Sequence, residues 1–352
     1  MKGIPSFLHM IKLYTDSSLV IPENRGEVHP LIFDLHYFEK THQDVTSQYS
    51  LVTNPEIADV FLFPINYNSI QNKGYQSHYK ALYNLAQKSA KKLMVYTGGD
   101  YGKTFNDDTI IVWRNAGFKK SNDTHTIIIP AFIDDPLQRK GMNHEAIAYA
   151  ARPQISFTGF ATASLKEVLR ATTATLKANV YRLCNRDQSD KQVLFNAARE
   201  RFKYLKQLEQ SESIETDFIY RSKYRAGVKT EQERARTTDE FYMNMSKSPY
   251  TFCLRGAGNF SVRFYESLAS GRIPVLIDTD CQLPLEHVIN WHEHACIVHD
   301  DENLLKALDT FHKKYNQDSF IKLQESNRNL YQNFLVRDRF FCSVYNHLKS
   351  IL

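Results

Sequence analysis

Short apolar runs separated by amphipathic stretches recur along the whole chain. Lys12–Tyr14, Leu31–Leu35, Val60–Pro64, Leu93–Tyr96, Thr109–Val112 and Thr126–Ile129 read as strands, and Ser77–Lys91 as a helix between two of them. The pattern restarts at Ile155. A strand there is followed by helical stretches at Ser164–Cys184 and Lys191–Leu208, a strand at Thr216–Tyr220 and a helix at Thr238–Ser246. Lys306–Tyr315 and Ser319–Leu348 also carry helical periodicity. Strands alternating with helices predict parallel sheets covered by helices, an α/β class. A chain of 352 residues exceeds what one core usually organises. The expected division is residues 1–153, residues 154–325, and a helix over 326–352 that returns to the first domain.

The densest chemistry lies between Ser248 and Asp280. An apolar strand, Tyr250–Leu254, enters a glycine-bearing turn, Arg255–Asn259, then a helix from Ser261 to Ser270 that Gly271 ends before a strand at Pro274–Ile277. A helix N-terminus after such a turn favours an anion, because unpaired N–H groups and the macrodipole point at it. On this helix Arg263, Glu266, Ser267 and Ser270 are spaced to share a face, with Val262, Tyr265, Leu268 and Ala269 on the apolar side. An arginine in the first turn opposes the dipole, and a bound phosphate would neutralise it. Glu266, one turn on, is spaced to accept hydroxyl hydrogen bonds such as a ribose offers. The plainer alternative is a surface ion pair between the two.

Known nucleotide fingerprints do not fit. Gly256-Ala257-Gly258-Asn259-Phe260-Ser261 fails G-x-G-x-x-G at its third glycine, and no G-x-x-x-x-G-K-[ST] occurs, which argues against hydride transfer and P-loop hydrolysis.

The block from Ser248 to Val275, through Cys253, Gly256, Gly258, Ser261, Arg263, Glu266, Gly271 and Pro274, resembles the C-terminal signature of the exostosin glycosyltransferases, family 47. Leu283-Pro284, Trp291 and Cys296–Leu308 resemble the tail of that signature. Upstream, Ala58–Asn68, Leu93–Phe105, Ile127–Asp135 and Arg152–Phe160 resemble family segments in the right order. The resemblance implies a GT-B fold, two Rossmann-like α/β domains facing across a cleft. It implies donor contacts from Arg255, Gly256, Gly258, Asn259, Ser261, Arg263, Glu266 and Gly159.

The activity so implied is inverting transfer from a nucleotide sugar, with a UDP-sugar as donor and a glycan or other hydroxyl as acceptor. No cofactor or metal is expected. Asp100 corresponds to the aspartate of the family's GGRDH region and is the expected general base, although this chain reads Gly98-Gly99-Asp100-Tyr101 there. Asp34, His36, Asn66, Tyr67 and Asp135 are expected on the acceptor side, with Asp134 a further substitute for the base. Retaining enzymes of this architecture often carry a glutamate eight positions before the one matching Glu266; that position is Gly258, which favours inversion. Asp278-Thr279-Asp280 has D-x-D spacing but reads as a loop start. A fucosyltransferase-type enzyme using a GDP-sugar, and a non-catalytic nucleotide-sugar-binding protein, remain open alternatives.

Composition changes this little. Aromatics reach 12%, compatible with stacking on sugar faces as well as with core packing. Forty-four basic against 39 acidic residues give a net charge of +5 without a long single-sign block, so no nucleic-acid partner is implied. The cluster Arg221, Lys223, Arg225 and Lys229 is compatible with a solvated face or peripheral membrane association. Five cysteines without C-x-x-C spacing indicate neither a zinc site nor a disulfide framework. The first residues lack an apolar run of signal-peptide or membrane-span length, and the expectation is a cytoplasmic protein of bacterial or viral origin.

Overall fold

A computed structural model describes residues 10–38, 43–299 and 301–352; the start of the chain and the side chain of Arg225 lie outside the described residues. Contacts divide the chain into two units. One comprises Met1–Ile129, Asn185–Asp190 and Val336–Leu352, the other Pro130–Cys184 and Lys191–Leu335.

The first unit holds strands β1 (Ile11–Thr15), β2 (Tyr49–Val52), β3 (Val60–Leu62), β4 (Leu93–Tyr96), β5 (Ile110–Arg114) and β6 (Thr126–Ile128). They are paired in the order β2-β1-β3-β4-β5-β6, and every pairing is parallel. Among the longer helices, α1 (Gln76–Lys88) lies between β3 and β4 in sequence. The second unit holds β7 (Gln154–Phe160), β8 (Glu215–Arg221), β9 (Tyr250–Cys253), β10 (Ile273–Asp278) and β11 (Cys296–His299), also all parallel, in the order β11-β10-β9-β7-β8. Its helices are α2 (Leu165–Leu183), α3 (Ala197–Glu209), α4 (Glu231–Ser246), α5 (Val262–Ala269), α6 (Leu304–His312) and α7 (Gln317–Leu330). In this sheet the chain leaves β7 for β8 on one side and returns to β9 on the other. That reversal opens a crevice at the carboxyl ends of β7 and β9, where open α/β sheets bind ligands.

The last helix, α8 (Arg337–Ile351), belongs to the first unit. It buries Phe340, Phe341, Val344, Tyr345 and Leu348, a spacing that forms one apolar stripe. Trp113 of β5 packs against Phe340 and Phe341, and the Tyr49 hydroxyl donates to the Phe341 carbonyl at 2.9 Å. The expected single helix over Ser319–Leu348 is instead two. It is interrupted by a wide turn at Tyr331–Leu335, and Val336 in extended backbone starts α8.

Leu31–Leu35, expected as a strand, is helical. His29 accepts from the Leu31 N–H at 3.1 Å, Pro30 fixes the first helical residue, and the Phe38 N–H closes a five-residue turn onto the Phe33 carbonyl at 3.1 Å. The run is four apolar residues around Asp34, too short for its period to separate strand from helix. His29 is fully buried edge-on to Trp113, and burial pushes its imidazole down to about 3, so it stays neutral.

This turn also removes Asp34 from the acceptor-side candidates. Its carboxylate is buried and receives Arg337 Nε at 2.6 Å, while Arg337 Nη2 donates to the Pro30 carbonyl and the guanidinium lies over Phe33. Replacing Arg337 by Met strands a buried carboxylate and should cost about 3 kcal/mol. Thermal melting should fall by roughly 6–12 °C. The matched change at Arg339, whose pair with Asp44 is exposed, should stay within about 0.5 kcal/mol. Equal melting of the two variants would show that the Asp34 pair does not fasten α8.

Candidate functional site

At the carboxyl end of β9 the chain runs through Leu254 and Arg255 into the glycine loop and then α5. Ser261 stands at the N-cap in extended backbone (φ −128°, ψ 114°), and its hydroxyl makes no capping hydrogen bond. The Phe264 N–H turns back to the Ser261 carbonyl at 3.1 Å, and no side-chain cap takes the N–H groups of Val262 and Arg263. The loop is held from beneath by Asn259. Its amide nitrogen donates to the Thr279 and Asp280 carbonyls at 3.1 and 2.9 Å, and its oxygen accepts from the Thr279 hydroxyl at 2.7 Å. Buried and engaged in this way, the Asn259 side chain braces the loop.

Arg263 reaches from the first turn of α5 to the end of β7. Its Nη2 donates to the Thr158 carbonyl at 2.8 Å, and its guanidinium carbon lies 4.4 Å from the Phe157 ring centre and 5.5 Å from that of Phe241. Two aromatic faces against a desolvated cation are worth on the order of 2 kcal/mol. Its Nε is buried with no hydrogen-bond partner, while the side chain as a whole keeps part of its surface open. Gly159 makes the approach feasible, since a Cβ there would sit 2.9 Å from Arg263 Nη2. Gly159 thus acts through the space it leaves.

Glu266, one turn on, forms no ion pair with Arg263. It accepts from the Tyr242 hydroxyl at 3.3 Å instead. Burial raises its pKa, with the Arg263 charge and the Tyr242 hydrogen bond opposing. Burial likewise lowers the Arg263 pKa, and Glu266 partly restores it. The expected polar face is corrected too. Ser267 and Ser270 are buried with the apolar residues, and Val262 is the exposed one. The helix is enclosed on most sides, and Arg263 and Glu266 alone among its polar side chains retain access.

Arg255 is buried, with its guanidinium 4.9 Å from the Phe195 ring centre and Nη2 on the Ala257 carbonyl at 2.9 Å. Arg201 of α3 joins the two strand ends, its Nη1 on the Phe160 carbonyl at 3.0 Å and its Nη2 on the Arg255 carbonyl at 2.9 Å. Sequence reasoning missed Arg201 because it sits in a charge-rich run beside Arg199 and Lys203, which it matches in type. Tyr242 was missed as well, for its partner lies 24 residues away. Gly256 has open space around it. Gly258 is buried within the loop. Cys253, fully buried, has its thiol pushed up to about 12 and is a small core residue.

In the first unit, Asp100 is exposed on the bend after β4. Gly99 takes φ +94°, and a Cβ on Gly98 would strike the Tyr96 ring. The loop is pinned by two asparagines: Asn66 Oδ1 accepts from the Gly98 N–H at 3.2 Å, and Asn68 Nδ2 donates to the Gly98 and Tyr101 carbonyls at 3.1 and 2.7 Å. Tyr67 packs edge-on between Tyr79 and Phe105, at 4.9 Å from each, and burial raises its pKa. His36 is exposed against Tyr37.

Asp135 belongs to the second unit, where Arg328 grips it in a two-pronged pair at 2.8 and 2.6 Å. It also caps Leu137. These bonds make it a structural carboxylate and remove it from the acceptor side. Asp278 accepts from the Cys281 N–H at 2.9 Å and lies 3.3 Å from His299. Among the described residues no group of three or more His, Cys, Asp or Glu is placed to hold a metal ion.

Residues 155–313 match the family model described as the Exostosin GT47 domain. The chain is 34% identical to Exostosin-1 of Bos taurus over 86 residues, 24% of this chain and 11% of that protein. It is 34% identical to Exostosin-1c of Danio rerio over 96 residues, 27% of this chain and 12% of that one. Each match thus spans a small part of the relative's length. Among solved structures, TarM is similar at 8% identity and TM-score 0.37, covering 91% of this chain and 58% of that one. WaaG, a glycosyltransferase involved in lipopolysaccharide biosynthesis, is similar at 9% identity and TM-score 0.30, covering 82% and 74%. These structural likenesses are too distant to bear on the site. The two units each carry an all-parallel sheet, the α/β class expected from the sequence.

The raised Glu266 pKa carries a stability consequence with a definite sign. Ionised Glu266 costs stability above its folded pKa, and the cost is relieved as pH falls through that value toward the unfolded value of 4.5. Glu266→Gln should therefore melt higher than the parent at neutral pH, with the gap closing in acid toward pH 4.5. Parallel melting curves across that range would show that the carboxyl is not held in a desolvated site.

Proposed function

With residues 155–313 exostosin-like, we propose that the chain is a glycosyltransferase that moves a sugar from a nucleotide-sugar donor, a UDP-sugar, to a glycan or other hydroxyl acceptor with inversion. The observation that carries this reading is Arg263. A half-buried guanidinium whose Nε has no hydrogen-bond partner stands in the first turn of a helix at the carboxyl ends of β7 and β9. The donor's diphosphate meets Arg263 and the N–H groups of the α5 first turn, and Glu266 accepts from the ribose hydroxyls. Arg255 and Arg201 add positive charge behind the loop. As the bond from the anomeric carbon to the phosphate oxygen breaks, the leaving nucleoside diphosphate gains charge, and the guanidinium and helix end stabilise it without a metal.

The acceptor oxygen attacks the anomeric carbon from the opposite side, and its proton passes to a base. Asp100 is that base in this reading. It is exposed on a loop whose backbone Asn66 and Asn68 hold fixed, as a group that must meet a substrate hydroxyl in one geometry requires.

Arg263→Ala should weaken UDP binding by about 1.5–3 kcal/mol, measured by calorimetry. Gly159→Ala should weaken it in the same direction and lower melting modestly, because the added methyl meets the movable end of Arg263 at 2.9 Å and the buried Phe157 ring at 3.0 Å. Parent-like UDP binding by both variants would remove the diphosphate role, and tighter binding of GDP by the parent would reassign the donor.

Asp100→Asn should leave UDP binding intact and lower turnover on an identified acceptor by roughly 10²–10⁴. Retention of most of the activity would place the base elsewhere.

A further inference from the structure

Helix α2 is built inside out. Leu165, Leu169, Leu176, Val180 and Leu183 are 79%, 65%, 49%, 54% and 62% exposed. At 3.6 residues per turn these five positions fall within a sector of about 60° and make one apolar stripe along nearly the whole helix. The side turned inward is mixed, with Val168 and Ala178 half-buried beside Thr175 and Asn179. Arg182 is its one buried residue, with Nη1 on the Asn179 side-chain oxygen at 3.0 Å, and Asn179 in turn holds both the N–H and the carbonyl of Gln192. These bonds join the last turns of α2 to the segment that follows it, and the leucines remain outside. Val193 and Leu194, just beyond, are 56% and 58% exposed as well. Isolated exposed leucines are ordinary, but a contiguous stripe of this length marks a surface that something covers.

Charge identifies the cover. Beside the stripe, on one flank, lie the exposed Lys166, Arg170 and Lys177, and exposed Arg186 follows the helix. From Ser164 to Arg186 the only acidic residue is Glu167, which lies 3.7 Å from Arg170. A second copy laid against this face would bring one basic flank close to another. An anionic surface would meet opposite charge along the full length. Among the described residues no helix is long and apolar enough to cross a membrane, and α2, with charges along one flank, has the build of a helix that lies on one.

We infer that α2 is a lipid-surface helix. Its leucine stripe sits at the boundary of headgroups and acyl chains of an anionic bilayer, and the ammonium and guanidinium ends of Lys166, Arg170 and Lys177 extend to lipid phosphates. This rests on the helix alone and does not depend on the donor-site reading.

The test is co-sedimentation of the full chain with phosphatidylcholine vesicles, with and without roughly one third phosphatidylglycerol. The unaltered chain should bind the anionic vesicles about tenfold more than the neutral ones, and that preference should fade between about 0.1 M and about 1 M salt. Leu169→Gln with Leu176→Gln should reduce binding about tenfold with an unchanged thermal melt, both positions being exposed. Lys166→Gln, Arg170→Gln and Lys177→Gln together should abolish the preference for anionic vesicles. Failure of the unaltered chain to sediment with either vesicle overturns the proposal, and that comparison needs no variant. So does a dimer by light scattering that the leucine changes convert to monomer, which would make a second copy the occupant.

Discussion

The second unit turns on one contact, the Arg263 guanidinium held on the Thr158 carbonyl at the end of β7. A cation in the first turn of a helix is opposed by the helix dipole and, once enclosed, by desolvation. It is kept there by the carbonyl, by the faces of Phe157 and Phe241, and by the nearby Glu266 charge. The absence of a side chain at Gly159 lets the guanidinium come within reach. The same contact ties the start of α5 to β7, while Arg201 ties the end of β7 to the residue that opens the glycine loop. The crevice of the second sheet is thereby a fixed structure, with its cationic group in place before any ligand arrives.

Glu266 is the counterpart of that arrangement. Its distance from an ion pair with Arg263 leaves both groups with unsatisfied capacity, and Tyr242 takes only part of the capacity of the carboxylate. A pair joined directly would have consumed both. An enclosed cation and carboxylate that do not pair with each other are more costly to fold than a salt bridge and more useful to a ligand that offers phosphate and hydroxyl groups together.

Carboxylates elsewhere show the opposite solution. Asp34 and Asp135 are closed by Arg337 and Arg328 and fasten distant parts of their own units, with sequence separations of 303 and 193 residues. Asp100 has no such grip. Its loop is fixed through the backbone by Asn66 and Asn68, so the carboxylate is positioned without being neutralised. The difference between a fastening aspartate and an available one lies entirely in what the fold brings opposite it.

The parts legible in the sequence were those whose physics is local. The strand, glycine turn, short helix and strand from Tyr250 to Asp278 follow from apolar runs and breakers within about thirty residues, and the placing of Arg263 and Glu266 one turn apart follows from their spacing on one helix. The parallel sheets follow from the alternation of elements. What required tertiary structure were the partners. Asn259 and Asn66 are the same residue type in similar turns, and only contacts to Thr279 or Gly98 give each its task. Arg201 reads like its solvated neighbours until two strand ends arrive beside it. Leu31–Leu35 is too short a run for its period to decide, and the histidine cap before Pro30 set its helix. The outward leucines of α2 invert the usual rule, and the bonds of Asn179 on its inner side to Gln192 are ones that periodicity does not report. Local pattern sets the backbone because propensity and periodicity act over a few residues; the charge and contacts of a side chain are set by neighbours that only folding brings near.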